Sequence, residues 1–314
     1  MDGNKNQWRG WIFLLPTLIL LAVFTFYPIV NTFLIAFQDG YTSTGAAGGK
    51  IYPIGIENFI DAWEVLVDPD KPLLFYTAII AIVTVPLSTI IALVISVGLN
   101  SIPKFSKLLQ TIYFLPYVTN SIAIGLVFSA MFSLIGSTDP NSTMIESIGL
   151  VNHALKAFGV DPQNWVNAGA PQANAMFVVC VYSTWNALPF KILILLGALQ
   201  SVNKQYYDAA KIDGASKFTI FYKITVPMLS PMIIYVVITG FIGAFKEYSS
   251  LVGVLGETYM RNSFGVNTVV GYIYQVLDGG ARYGEASATA LILLFFIMVI
   301  TGINMYVSKK KVHY

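Results

Sequence analysis

Between Pro72 and Pro103 the chain reads PLLFYTAIIAIVTVPLSTIIALVISVGLNSIP, without one Asp, Glu, Lys or Arg. A helix rises about 1.5 Å per residue, so about 20 apolar residues cross the ~30 Å hydrocarbon core of a bilayer. Inside lipid every backbone N–H and C=O must be satisfied within the segment, which a helix achieves and a lone strand does not. The stretch predicts a transmembrane helix over 73–100.

Working outward, four more long intervals are free of charge: Gly10 to Gln38, Leu108 to Thr138, Ile224 to Phe245 and Ala286 to Ser308. A sixth, Ala173 to Val202, is apolar over Met176 to Tyr182 and Leu188 to Leu199 but carries Lys191 inside it. The expected fold is an all-α membrane protein with six transmembrane helices, at 11–37, 73–100, 108–133, 174–200, 222–245 and 286–308, in a single domain over residues 1–314. Lys5 and Arg9 precede the first interval as they would a signal peptide. Its apolar run from Trp11 to Phe37 is longer than a signal's apolar region and has no small-residue cleavage pattern, so it reads as an uncleaved helix.

Composition agrees. Of the 314 residues 56% are hydrophobic and 11% charged, far below the roughly 25% charged of a soluble domain. Cys180 is alone, which excludes a disulfide within the chain, and His153 and His313 leave too little for a His/Cys metal site. No cofactor is expected in this chain.

Basic residues orient the helices. With the N-terminus inside, the inner segments hold eleven: Lys5, Arg9, Lys104, Lys107, Lys204, Lys211, Lys217, Lys223 and Lys309 to Lys311. The outer segments hold six: Lys50, Lys71, Lys156, Lys246, Arg261 and Arg282. The positive-inside rule places both termini in the cytoplasm. In the first outer segment Ile56, Phe59, Ile60, Trp63 and Val67 fall at helical spacing, and Ile145, Ile148, Val151, Leu155 and Phe158 repeat the pattern in the second, with Gly159 as a stop. Packing on the bundle and lying along the outer surface both satisfy these patterns. The third outer segment, 248–285, has no clear period.

The cytoplasmic loop 203–221 is different. From Asn203 the chain reads NKQYYDAAKIDGASKFTIFYKITVPML. Tyr206 to Lys211 suits a short helix with Asp208 in its early turns, Gly214 can close it in the left-handed conformation, and Ser216 can cap the next. Ala209 and Ala210 leave a face of little bulk, and Tyr206 and Tyr207 are amphipathic anchors. Both a docking surface for a partner and an amphipathic segment resting on the inner leaflet beside its lysines fit this pattern.

Asp208, Ala209, Ala210, then Gly214, then Ile224, Val226 and Pro227 resemble the EAA loop of binding-protein-dependent ABC importers: EAA, three residues, Gly, nine residues, I-x-L-P. Asp208 stands for Glu and Val226 for Leu. FLLPTLILLAVFTFYPI near the start, IGIENFIDAW, GLVNHALKAFGV and TWNALPFKILILLGALQSV extend the resemblance over nearly the whole chain. They are similar to the carbohydrate branch, with its maltose, multiple-sugar and glycerol-phosphate permeases, and to the larger, maltose-permease-type subunit. Two departures are the lack of extra N-terminal helices and a short second outer loop, so docking of a binding protein must differ in detail.

The resemblance implies a type I ABC importer permease in the bacterial plasma membrane. It would be the channel subunit of a sugar or oligosaccharide importer, with a homologous second permease, two cytoplasmic ATPases and an external solute-binding protein as partners. It also implies that Tyr206, Tyr207, Asp208, Ala209, Ala210, Asp213, Gly214 and Pro227 couple to the ATPase. No G-x-x-x-x-G-K-[ST] occurs, so ATP and Mg2+ belong to that partner and the chain is no enzyme.

For the substrate path the same resemblance selects Asn186 and Phe190 in the fourth span and Gly240, Gly243, Ala244 and Glu247 in the fifth, with Lys246 adjacent; Trp185 joins them as a stacking surface and Lys191 as a charge inside a span, which usually faces a bundle interior. Aromatic faces stack on sugar rings and amides pair with hydroxyls. Lys191 also fits snorkelling or a salt bridge, and the glycines fit plain helix packing. Lys191 and Lys246 together would favour an acidic sugar. The competing class is an ion-coupled secondary transporter, which calls for an inverted repeat and an intramembrane charge relay; a membrane-embedded enzyme would need clustered Asp, His or Cys. None of these is evident in the sequence.

Overall fold

The computed structural model describes residues 7–135, 147–261 and 265–311. α1 (Gln7–Leu21) passes through a π turn at Ala22–Phe26 into α2 (Tyr27–Ala36), with Pro28, which lacks an N–H to donate, just after the turn. α3 (Ser43–Ala47) is capped by Thr42, and α4 (Glu57–Leu66) follows. α5 (Leu73–Asn100) is the long apolar stretch, α6 (Pro103–Val118) and α7 (Ser121–Phe132) share the next, and a two-residue antiparallel pair, Leu134–Ile135 with Ser147–Ile148, leads to α8 (Leu150–Ala157). α9 (Gln172–Ser201) precedes the loop helices α10 (Lys204–Ile212) and α11 (Lys217–Ile220). A π turn at Phe221–Thr225 continues into α12 (Val226–Met228) and α13 (Ser230–Phe245). α14 (Ser249–Leu255), α15 (Glu257–Arg261), α16 (Val269–Gly280) and α17 (Tyr283–Lys311) complete the chain.

Among the described residues four straight segments are long and apolar enough to span a membrane: Trp11–Ala36, Leu73–Asn100, Gln172–Ser201 and Tyr283–Ser308. Two bent pairs bring the number to 6, each counted as one span: Leu108–Val118 with Ser121–Phe132 at 95°, and Lys217–Met228 with Ser230–Phe245 at 67°. The bends have local causes. Thr119 is extended, and Asn120 Oδ1 accepts from the N–H groups of Ile122 (2.9 Å) and Ala123 (3.3 Å), so α7 starts afresh with its own cap. At the second bend Pro227 and Pro231, near the starts of α12 and α13, each lack the N–H a helix would use, and Leu229 between them relaxes to φ −88, ψ −4.

Of the two short helices expected between spans, α4 covers most of the first, with Ile56 and Val67 just beyond its ends. The second is shorter than its pattern. α8 begins at Leu150, Ile148 lies in the strand pair, Phe158 caps the end, Gly159 turns at φ +77, and Ile145 falls outside the described residues. The aperiodic third segment contains α14, α15 and α16.

The chain divides into two compact units. One comprises Met1–Val65 and Tyr272–Leu294. Its centre is Ala36, Ala62 and Ala288, all fully buried, with Phe59, Leu291 and Ile292 against them. The buried Asn58 donates to the carbonyls of Ala36 (3.0 Å) and Gln38 (2.8 Å), tying the end of α2 to α4. Tyr272 donates to the buried carboxylate of Glu285, whose other oxygen meets Arg282 at 2.6 Å. Burial, then that hydrogen bond, pushes the Tyr272 phenol up.

The other unit comprises Leu66–Gly271 and Phe295–Tyr314. α5 lies along α9, joined by apolar packing of Ala92 and Leu99 with Ile192, Leu195 and Leu196 and by a bond from Ser96 Oγ to the Ile192 carbonyl (3.1 Å). A second core gathers Ile80, Val178, Val179, Tyr182, Leu251, Val254 and Val266, with the Tyr182 hydroxyl donating to the Ser121 carbonyl at 2.6 Å.

Candidate transport pathway and coupling surface

Within the larger unit α5, α6, α9 and α13 enclose a cavity of about 260 Å3. Its α9 wall carries Ser183, Asn186, Phe190 and Lys191; its α13 wall carries Thr239, Gly240, Gly243 and Ala244, with Glu247 just beyond the helix end. Thr84 and Ser88 contribute from α5 and Tyr117 from α6. Each wall is one face of a helix, since residues three and four apart share a face.

Tyr117 and Phe190 stack across the cavity, their centroids 5.9 Å apart and their rings 19° from parallel. Lys191 is 3% exposed, and all three ammonium protons are committed to α5: the Val85 carbonyl at 3.0 Å, Ser88 Oγ at 2.7 Å and Thr89 Oγ1 at 2.9 Å. An ammonium has three donors, so this set saturates it. Glu247 Oε1 accepts from the Ser250 N–H at 2.9 Å, and the Glu247 carbonyl accepts from Thr268 Oγ1, also at 2.9 Å.

Seven of the nine residues expected along the path therefore line one cavity: Asn186, Phe190, Lys191, Gly240, Gly243, Ala244 and Glu247. Trp185 instead packs sideways on Phe128 (centroids 5.2 Å apart) and Tyr182 (6.4 Å). Lys246 is exposed and does not line the cavity. The two glycines divide between the readings left open for them. A Cβ on Gly240 would come within 3.1 Å of Val85 Cγ1 and 3.2 Å of Lys191 Nζ, so Gly240 serves close packing; Gly243 has nothing within 4 Å. Thr84, Ser88, Tyr117, Ser183 and Thr239 were not anticipated. Ser183 and Thr239 lie at helical spacing from expected residues and were legible; the others come from distant segments and were not.

The loop between α9 and α12 is equally well defined. α10 starts two residues before Tyr206, because Asn203 Oδ1 caps it by accepting from the Gln205 N–H at 3.0 Å. Gly214 ends it at φ +72, where a side chain would be strained. Ser216 Oγ then accepts from the Thr219 N–H at 3.1 Å and starts α11. Ala210 is buried and Ala209 exposed. The Tyr207 hydroxyl lies 3.5 Å from Thr225 Oγ1, linking α10 to the π turn before α12. Asp208 and Lys211 pair at 3.2 Å in the open, worth little. Tyr206 (53% exposed), Ile212 (86%) and Phe218 (77%) stand outward on this loop; the last two are large apolar side chains that spacing alone does not single out.

A multi-pass helical bundle with a largely apolar cavity that holds a few polar groups among its spans, and a short capped helix in the loop that joins two cavity walls, defines a membrane transport protein. Residues 85–313 match the family described as binding-protein-dependent transport system inner membrane component, and the chain belongs to it. It is 29% identical over 321 aligned residues to the arabinooligosaccharides transport system permease protein AraP of Bacillus subtilis (strain 168), covering 98% of this chain and 93% of that protein. It is 28% identical to the lactose transport system permease protein LacF of Rhizobium radiobacter, covering 96% and 95%. Among solved structures, a bacterial ABC transporter involved in the import of the acidic polysaccharide alginate shares the fold, with a TM-score of 0.70 at 19% identity over 98% of this chain and 96% of that one.

Proposed function

We propose that this chain is one of two channel-forming subunits of an ATP-driven importer for a sugar or oligosaccharide. Its partners are a homologous permease, two cytoplasmic ATPases that bind ATP and Mg2+, and an external solute-binding protein at a bacterial plasma membrane. The observation that carries the reading is the loop after α9. The exposed Ala209 face of α10, flanked by Tyr206 and Ile212, is smooth enough to enter a groove of an ATPase, while Ala210 and Tyr207 anchor the same helix to its own chain. α10 follows α9 directly and leads through the π turn to α13, so a push on α10 reaches two walls of the cavity. The names of the relatives AraP and LacF support a saccharide as cargo. Nothing supports ion coupling: the charge within α9 is bound to hydroxyls and a carbonyl of α5, with no carboxylate among its described partners.

Ala209→Glu tests the reading, because it puts a charge on the exposed face without touching a buried group. The expected result is an unfolding temperature within a degree or two of the parent, with loss of ATPase co-purification and of ATP-dependent saccharide uptake. Co-purification and uptake at parental levels would reject the coupling role.

A further inference from the structure

We propose that α4 is an interfacial helix whose Ile60–Trp63 face is covered by lipid, at the headgroup–acyl boundary where the first span ends. The sequence leaves two readings for its apolar pattern, and the side chains divide between them. Phe59 packs with the buried Ala36, Ala62 and Ala288, whereas Ile60 is 49% exposed and Trp63 45%, with Ile56 at 60% just before the first turn. Glu57, Asp61 and Glu64 are exposed as well. Residues three and four apart share a face, so Ile60 and Trp63, led in by Ile56, make an apolar row, and Glu57, Asp61 and Glu64 make an acidic row about 100° round the helix. An apolar row beside an acidic one suits a helix that lies between lipid and water.

The position of α4 decides what covers the apolar row. Its Asn58 holds the carbonyls of Ala36 and Gln38, where the apolar segment Trp11–Ala36 ends. Just before the helix the Gly55 N–H donates to the Phe37 carbonyl at 2.9 Å, and the Phe37 and Phe59 rings lie 4.9 Å apart. Ala62 shares its core with Ala288, five residues, or about 7.5 Å, inside the segment that starts at Tyr283. Interfacial helices bury their apolar face to a depth of about 5–10 Å, so α4 sits at the matching level. α2, to whose end it is tied, exposes Val30, Phe33 and Leu34, so acyl chains already lie against the element that holds it. A tryptophan suits this level, because an indole ring favours the membrane–water boundary. A water-borne partner could reach a row at that depth only by displacing acyl chains.

The test is spin labelling of the complete transporter in phosphatidylcholine–phosphatidylglycerol vesicles, with Ile60→Cys and Glu64→Cys made separately and the buried Cys180 as background. Both sites are exposed, so neither substitution disturbs the buried Asn58 or Ala62. Molecular oxygen, which concentrates among acyl chains, and a water-soluble nickel chelate serve as relaxing agents. The ratio of oxygen to nickel accessibility should be several-fold higher for the label at 60 than for the label at 64. Equal ratios would put the Ile60–Trp63 face in water and overturn the inference. A label at 60 shielded from both agents would show protein on that face, the second permease or the solute-binding protein, and would overturn it equally.

Discussion

Gly125 of α7 and Gly253 of α14 meet backbone to backbone. A Cβ on Gly253 would lie 2.9 Å from both Gly125 Cα and the Ile122 carbonyl oxygen, closer than side-chain atoms approach backbone. Overpacking of this kind costs about 1–3 kcal/mol. Gly253→Ala should therefore lower the unfolding temperature by on the order of 5 °C, whereas Gly302→Ala, inside α17 with nothing within 4 Å, should hold it or raise it slightly. The single cysteine makes the measurement direct: Cys180 is buried, so a thiol-reactive dye reports its exposure on heating. Equal unfolding temperatures for the two variants would refute the contact. The same scale shows what a sequence conceals. A lone lysine in an apolar span announces an inward-facing charge, but Val85, Ser88 and Thr89, which satisfy it, lie more than a hundred residues earlier and look like ordinary residues of another helix. Absence of charge could not reveal which hydroxyls were partners.

Counting charge-free intervals located the long helices well, because the bilayer's thickness demands them. It missed the bends, because Asn, Thr and Pro are uncharged and pass the count unnoticed. The cap that starts α7 is worth about 1 kcal/mol by the usual range for such residues. Asn120→Ala leaves the Ile122 and Ala123 N–H groups without their acceptor and should lower the unfolding temperature by a few degrees, while Asn120→Asp, which keeps an oxygen there, should restore most of it. Identical behaviour of the two variants would show that the cap does not hold the break. α14 escaped for a different reason. Ser250, Leu251, Gly253, Val254 and Leu255 are all buried, so the helix has little polar face to set against an apolar one, and periodicity has nothing to detect. The loop helices α10 and α11 were legible because their stops and caps, Gly214 and Ser216, are local in sequence.

At the scale of the whole molecule the decisive property is orientation, since an ATPase can reach α10 only from the cytoplasm. Eleven basic residues against six in the connecting segments point that way, and the bias acts through residues near the span ends, whatever the folded contacts later become. Two variants, each with one added cysteine, examine it, with the buried Cys180 as a quiet background. Phe158, 86% exposed after α8, is expected in an outer segment; Ile102, 47% exposed between α5 and α6, is expected in an inner one. In right-side-out vesicles a membrane-impermeant maleimide should label Phe158→Cys at once and Ile102→Cys only after the membrane is opened. The reverse pattern would place α10 outside, away from any source of ATP, and would remove the physical basis for coupling through Ala209. The expected pattern makes α10 the part of this chain that a nucleotide-driven partner can move, with α9 and α13 carrying that movement to the cavity between them.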